Sequence, residues 1–195
     1  MKLPEIIGIA GTNGAGKDAL GHLLAEAKNY HLVSASDILR DELRRTGVPL
    51  ERENLAALSQ RWRVESNDTG ILTVKAMEQY EREKESYNGL AIISLRHPEE
   101  AERIKQHGGV IVWVDADQRH RYDRLQQGNR GRSEDHVSFE EFKKAEYREM
   151  HPDSDATHGA LNMKGVKDLA DVFVENDFPT IEAYHNHLRD RFELI

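Results

Sequence analysis

The chain has 195 residues, a length that fits one compact domain, and its 27 Lys and Arg against 35 Asp and Glu leave a net charge of −8. That balance argues against a general nucleic-acid or anionic-membrane binder, whose footprint is a net basic surface, and the absence of cysteine excludes disulfides, thiolate zinc sites and thiol nucleophiles. No apolar run approaches the length of a membrane span and the N-terminus lacks the long apolar core of a signal peptide, so a soluble cytoplasmic protein is expected.

The first predicted element is a strand over Ile6 to Ala10, a short apolar run of the kind that suits a strand buried on both faces. Leu20, Leu23, Leu24 and Ala27 then share one helical face, and His31 to Ser34 reads as a second strand. Leu55, Leu58 and Trp62, followed by Ile71, Leu72, Ala76 and Tyr80, continue the helical pattern up to a third strand over Leu90 to Leu95. Pro98 opens a helix that Gly108 closes, Val110 to Val114 is a fourth strand, and Asp117 to Gly128 frames another helix. Ser138 and Glu141 have the spacing of a capping box ahead of Phe142 and Ala145. His151 to Gly159 reads as an extended loop, Val172 to Val174 as a fifth strand, and Asp177 and Pro179 as the start of a last helix carrying Ile181, Tyr184 and Leu188. Strands alternating with helices predict an α/β domain, with one parallel sheet covered on both faces. Trp62 and Trp113 read as core or groove aromatics, and the ten histidines as solvated surface groups, because His185 and His187 do not share a helix face as metal ligands at i and i+4 would.

Between the first strand and the first helix stands Gly11-Thr12-Asn13-Gly14-Ala15-Gly16-Lys17-Asp18. Glycines at this spacing let consecutive backbone N–H groups turn inward around a phosphate, the helix N-terminus adds partial positive charge, and Lys17 can reach the β and γ phosphates. Thr12 to Asp18 are therefore expected to bind a nucleotide. Asp18 stands where a Ser or Thr hydroxyl normally meets magnesium. A carboxylate beside a polyphosphate is repulsive unless a cation lies between them, so Asp18 is expected to address magnesium or else to weaken nucleotide binding.

Ser34-Ala35-Ser36-Asp37-Ile38-Leu39-Arg40, with Arg44-Arg45 and Thr46-Gly47-Val48-Pro49-Leu50 after it, resembles the segment that opens the acceptor-nucleotide helix of adenylate kinases. The resemblance implies that Ser34, Asp37 and Arg40 face the acceptor and that Arg40 holds its phosphate, for which a planar guanidinium fork is suited. Ser94-Leu95-Arg96-His97-Pro98-Glu99-Glu100-Ala101-Glu102 resembles a stretch of phage-type deoxynucleoside monophosphate kinases and implies a second acceptor-phosphate ligand in Arg96. Both families carry an aspartate where this chain has Ser94, or Ile93 under a one-residue shift, which leaves Asp37, Asp18 or Asp115 to support magnesium, or leaves the reaction slow. Arg124 to Asp135 resembles the arginine-bearing lid of small P-loop kinases, including an archaeal branch with a similar acidic-capped stretch. That implies a donor contact for Arg124 and roles at the moving phosphoryl group for Arg130 and Arg132. Arg119 and Arg121 fit solvated helix charges as readily as members of this cluster. Asp168 to Asp177 is similar to the last strand of these kinases, making Asn176 either a contact to the base or a turn residue.

Together the resemblances imply a three-layer P-loop fold of the nucleoside monophosphate kinase type. Its five parallel strands would run in the order 2-3-1-4-5, in a single domain over 1–195 with an acceptor-binding insertion near 37–88 and a lid near 128–160. The implied activity is ATP- and Mg2+-dependent phosphoryl transfer to a nucleoside or deoxynucleoside monophosphate, with Lys17, Asp37, Arg130 and Arg132 at the chemistry. The expected partners are small-molecule nucleotides, not nucleic acid or a membrane. Dephospho-coenzyme A kinase, in which Asp37 would act as base, is the alternative within the fold. A nucleotide-binding regulator with weak ATPase activity is the alternative outside kinase chemistry.

Overall fold

The computed structural model describes residues 3–128, 137–151 and 161–194, with Arg52 described by its backbone alone. In chain order the elements are β1 (Ile6–Gly11), α1 (Lys17–Lys28), β2 (Tyr30–Ser34), α2 (Ala35–Thr46), α3 (Arg52–Ser66) and α4 (Ile71–Glu83). They continue through β3 (Gly89–Ile93), α5 (Pro98–Gln106), β4 (Val110–Asp115), α6 (Gln118–Gln127), α7 (Phe139–Met150), α8 (Met163–Asp168), β5 (Val172–Glu175) and α9 (Ile181–Phe192).

The strands form one parallel sheet in the order β2-β3-β1-β4-β5, as expected. Strand side chains alternate between faces, and the two apolar layers follow that period. Ile7, Ile9, Ala91, Ile93, Val112 and Val114 pack with Leu20, Leu24, Tyr184 and Leu188 of α1 and α9. Ala10, Leu90, Ile92, Ile111 and Trp113 pack on the other face with residues of α2, α4, α5 and α8. Every residue of β3 is buried, the outcome that a continuous apolar run requires. Gly8 in β1 allows close approach, since a Cβ there would lie 2.7 Å from methyl groups of Ile104 and Leu95.

β1, β2, β4 and β5 each run one residue beyond the expected strand, and two other boundaries shift for a clear physical reason. The third strand ends at Ile93 rather than Leu95, because Ser94 adopts a left-handed φ of 69° that turns the chain off the sheet while its N–H still donates to Ile9 O at 3.0 Å. The last helix is capped by Thr180, whose hydroxyl accepts from Ala183 N–H at 3.1 Å. Asp177 serves instead as acceptor for Asp117 N–H at 2.8 Å, which ties the start of α6 to the end of β5. The Ser138–Glu141 capping box forms as expected. Trp113 is buried in the core, whereas Trp62 is partly buried with Lys75 Nζ 4.4 Å above its ring.

Candidate phosphate-binding site

β1 lies between β3 and β4, so its carboxyl end opens where the connections diverge to opposite sides, the usual ligand crevice of a parallel sheet. The loop from Gly11 to Gly16 occupies that crevice. Gly14 and Gly16 have φ of 81° and 98°, and a Cβ on Gly16 would stand 2.6 Å from Asn176 Nδ2. Both conformation and space therefore demand glycine. Lys17, the first residue of α1, folds back and donates from Nζ to Thr12 O at 2.7 Å. Burial, reinforced by the nearby Arg96 and Arg121 guanidinium groups and opposed by Asp18 and Glu149, lowers its pKa to about 8. A glycine cradle with a lysine short of counter-charge fits a polyphosphate. Among the described residues no group of three or more His, Asp or Glu could hold a metal ion.

The loop is braced from three sides. Thr12 Oγ1 donates to Asp115 Oδ1 at 2.7 Å, and the same carboxylate accepts from Trp113 Nε1 at 3.2 Å, Ala116 N–H at 3.0 Å and Lys167 Nζ at 3.4 Å. Burial alone would raise the Asp115 pKa, but the Thr12, Trp113 and Ala116 donors and the Arg121 guanidinium hold it below the ordinary carboxylate range. Asn176, nearly buried, donates from Nδ2 to Ala15 O at 2.8 Å. Arg124 donates to the carbonyls of Asn176 at 2.7 Å and Phe178 at 3.4 Å, fixing the segment behind the loop.

The third brace is Arg121. It is not a solvated helix charge: it is 3% exposed, and it donates to Ala116 O at 2.9 Å and Asn13 O at 3.3 Å while gripping Glu146 with both terminal nitrogens. Sequence periodicity barely separates it from Arg119, since only Leu125 at i+4 marks their shared face as buried.

Through Glu146, α7 sits against the loop. One turn on, Glu149 pairs with Arg96 at 3.1 Å. A cavity of about 80 Å3 remains between loop and helix, lined by Thr12, Asn13, Phe142, Glu146, Glu149 and Met163 among others.

The expected residues thus divide into groups. Lys17 is folded onto the loop, Arg96 reaches the adjoining cavity through its partner Glu149, and Thr12, Asn13, Ala15, Arg124 and Asn176 belong to the loop and its braces. Ser34 ends β2 and precedes α2, in whose first turns Asp37 and Arg40 pair with each other at 2.5 Å. Asp18 is exposed in the first turn of α1. Ser94 supplies no carboxylate at the end of β3. Arg130, Arg132 and most of the expected 151–159 loop lie outside the described residues.

Comparison with known proteins bears on the family and the fold. Residues 7–150 match the family described as AAA domain. A UPF0200 protein of Hyperthermus butylicus is 30% identical over 74% of this chain and 75% of its own length. Another, from Methanococcus maripaludis, is 28% identical over 98% of this chain and 97% of its own. Among solved structures, shikimate kinase from Bacteroides thetaiotaomicron superposes with a TM-score of 0.61 at 16% identity, covering 97% of this chain and 98% of that one. TT1252 from Thermus thermophilus does so with a TM-score of 0.56 at 21% identity and full coverage of both chains. At these identities the structural likeness concerns the fold, which is that of P-loop kinases.

Proposed function

The chain belongs to the AAA domain family and to the UPF0200 family, and on that premise we propose that it transfers the γ-phosphoryl group of ATP to a small phosphorylated acceptor, a nucleoside or deoxynucleoside monophosphate. The observation that carries this reading is that Arg96 and the glycine loop share one cleft: Glu149, which pairs with Arg96 at 3.1 Å, lines the same cavity as Thr12 and Asn13, and Lys17 is folded onto Thr12 O. A nucleotide-binding loop needs the lysine alone. A second cation from the neighbouring strand end suits a second phosphate, placed opposite the first.

In this reading Lys17 and the loop N–H groups hold the donor polyphosphate, while Arg40 and Arg96 align the acceptor. The acceptor oxygen forms a bond to the γ-phosphorus as the bond to the ADP oxygen breaks. Arg124 and Asn176 keep the loop and the segment behind it in register with the donor. Asp18 is assigned in this reading to magnesium, which when bound with ATP would neutralise part of the polyphosphate charge. Arg130 and Arg132 are proposed to meet the moving phosphoryl group. Catalysis here is positioning plus electrostatics, so no strong base is needed. Removing one phosphate-facing arginine is worth several kcal/mol of transition-state stabilisation, on the order of 10²–10³ in rate.

One observation favours a second reading, a nucleotide-binding regulator that hydrolyses ATP slowly. Neither Ser94 nor Ile93, where the resembled kinases carry an aspartate, offers a carboxylate at the end of β3, and Asp115 on the other flank of β1 is occupied with Thr12, Trp113 and Ala116. Release of ADP from Mg-ATP, measured against a panel of nucleoside monophosphates and dephospho-coenzyme A, separates the readings. Strong stimulation by one acceptor, lost in Lys17→Ala and reduced at least fivefold in Arg40→Ala, is the expected result. Confirmed ATP binding without stimulation by any acceptor would transfer the assignment to the regulator.

A further inference from the structure

Arg96 lies just ahead of α5, and its main chain is held on both sides. Its N–H donates to Glu100 Oε2 at 2.7 Å, the N–H of His97 donates to the same oxygen at 3.1 Å, and its carbonyl accepts from Asn162 N–H at 3.0 Å. The other oxygen of Glu100 meets Arg63, which reaches over from α3 with an NH2-to-Oε1 distance of 3.0 Å. Arg63 is itself held in plane: it donates from NH1 to Ser59 Oγ at 2.7 Å and from Nε to Thr69 O at 3.1 Å. The two side chains are 2% and 1% exposed.

A helix start can be capped by an exposed side chain without desolvation. Burying a carboxylate and a guanidinium is costly, and an apolar pair of similar volume commonly serves stability as well or better. What an apolar pair cannot do is accept two successive backbone N–H groups and so fix the point where the chain leaves β3. Because a displacement of about 1 Å at a phosphate ligand can cost on the order of a hundredfold in rate, such fixing matters at Arg96.

We propose that Glu100 and Arg63 are positioning residues for acceptor recognition: Glu100 anchors the backbone of Arg96, and Arg63 locks the Glu100 carboxylate while coupling it to the α3–α4 unit. The proposal rests on the reading of Arg96 as an acceptor-phosphate ligand. It also means that the helices following β2 and the arginine following β3 respond to one another, although 33 residues separate Arg63 from Arg96.

Two uncharged double variants of the full chain test it. Arg63→Met with Glu100→Gln keeps an oxygen for the two N–H groups, whereas Arg63→Met with Glu100→Leu removes it. Each is assayed for MgADP affinity, for amide hydrogen exchange at Arg96 and His97, and for steady-state kinetics with Mg-ATP and the best substrate among AMP, CMP, GMP, UMP and dTMP. The glutamine pair is expected to keep acceptor KM within about threefold of wild type. The leucine pair is expected to raise acceptor KM and the exchange of both amides about tenfold, with MgADP affinity changed by less than about twofold in either. Equal acceptor KM in the two pairs, or a leucine effect that falls on MgADP instead, would overturn the proposal. If the leucine pair does not fold, Glu100→Gln alone replaces it. Its amide must then turn NH2 toward either Arg63 or the backbone donors, so acceptor KM should rise and adding Arg63→Met should restore it; failure of that rescue overturns the proposal. If the wild type phosphorylates neither any of the five nor dephospho-coenzyme A, the kinase reading fails and the acceptor role falls with it. The exchange rates then decide separately whether Glu100 anchors Arg96.

Discussion

Lys17 is where burial and function oppose each other most directly. Held against Thr12 O and short of counter-charge, it has a pKa near 8 before ligand arrives, and a bound polyphosphate would raise that value. The sign follows from linkage: nucleotide binding takes up a proton once the free lysine has begun to lose its own. ATP affinity is therefore expected to be flat below pH 8 and to weaken above it, by up to about a tenfold rise in Kd per pH unit, as titration calorimetry across pH 7–10 would read. A pH-independent Kd through that range would mean that Lys17 does not meet the phosphates. Gly16 makes a complementary prediction from shape. Gly16→Ala combines a left-handed φ with a Cβ 2.6 Å from Asn176 Nδ2, so the loop must shift or release its Asn176 brace. Loss of about 1–3 kcal/mol of stability is expected, with weakened ATP binding, both measurable by denaturant unfolding with and without nucleotide.

At the scale of elements, α7 is the part that the sequence places least well. Its start was legible, because a capping box is a local signal carried by Ser138 and Glu141. Its docking was not, because Glu146 and Glu149 find Arg121 and Arg96 across 25 and 53 residues of chain, and no local pattern encodes such a meeting. The docked helix puts a carboxylate on the arginine assigned to the acceptor phosphate, so the two compete for Arg96. Glu149→Gln removes the competitor's charge. Since Arg96 is more than a third exposed, the pair is screened and worth no more than about 1 kcal/mol. Acceptor KM should accordingly fall by about two- to fivefold in steady-state kinetics with kcat little changed, and a rise in KM would show that Glu149 assists the acceptor instead. The strands were legible for the opposite reason. Each of β1, β3 and β4 is buried on both faces, so its apolar run needs no partner to identify it.

For the molecule as a whole, alternation of strands and helices fixed the class of fold, while the order β2-β3-β1-β4-β5 came from resemblance to P-loop kinases and not from periodicity. That order puts β1 between β3 and β4, and with it the loop within reach of Asp115, Arg121 and Asn176, the last held in turn by Arg124. Of these, the glycine loop announced itself by spacing. Arg121 did not, because burial of an arginine depends on acceptors that arrive from elsewhere in the chain. The consequence is that the nucleotide site is not a separable loop but a junction of β1, β4, α6 and the segment after β5. A ligand seated there binds only the folded chain and so stabilises all of it by mass action, about 2.7 kcal/mol at a hundred times Kd. For a chain of this length that corresponds to a rise in Tm of about 5–10 °C. Mg-ATP should produce such a shift in the wild type and almost none in Lys17→Ala, as differential scanning calorimetry would record. An equal shift in the two proteins would place the nucleotide away from the loop, because a ligand whose affinity does not depend on Lys17 cannot be held by the cradle that Lys17 closes.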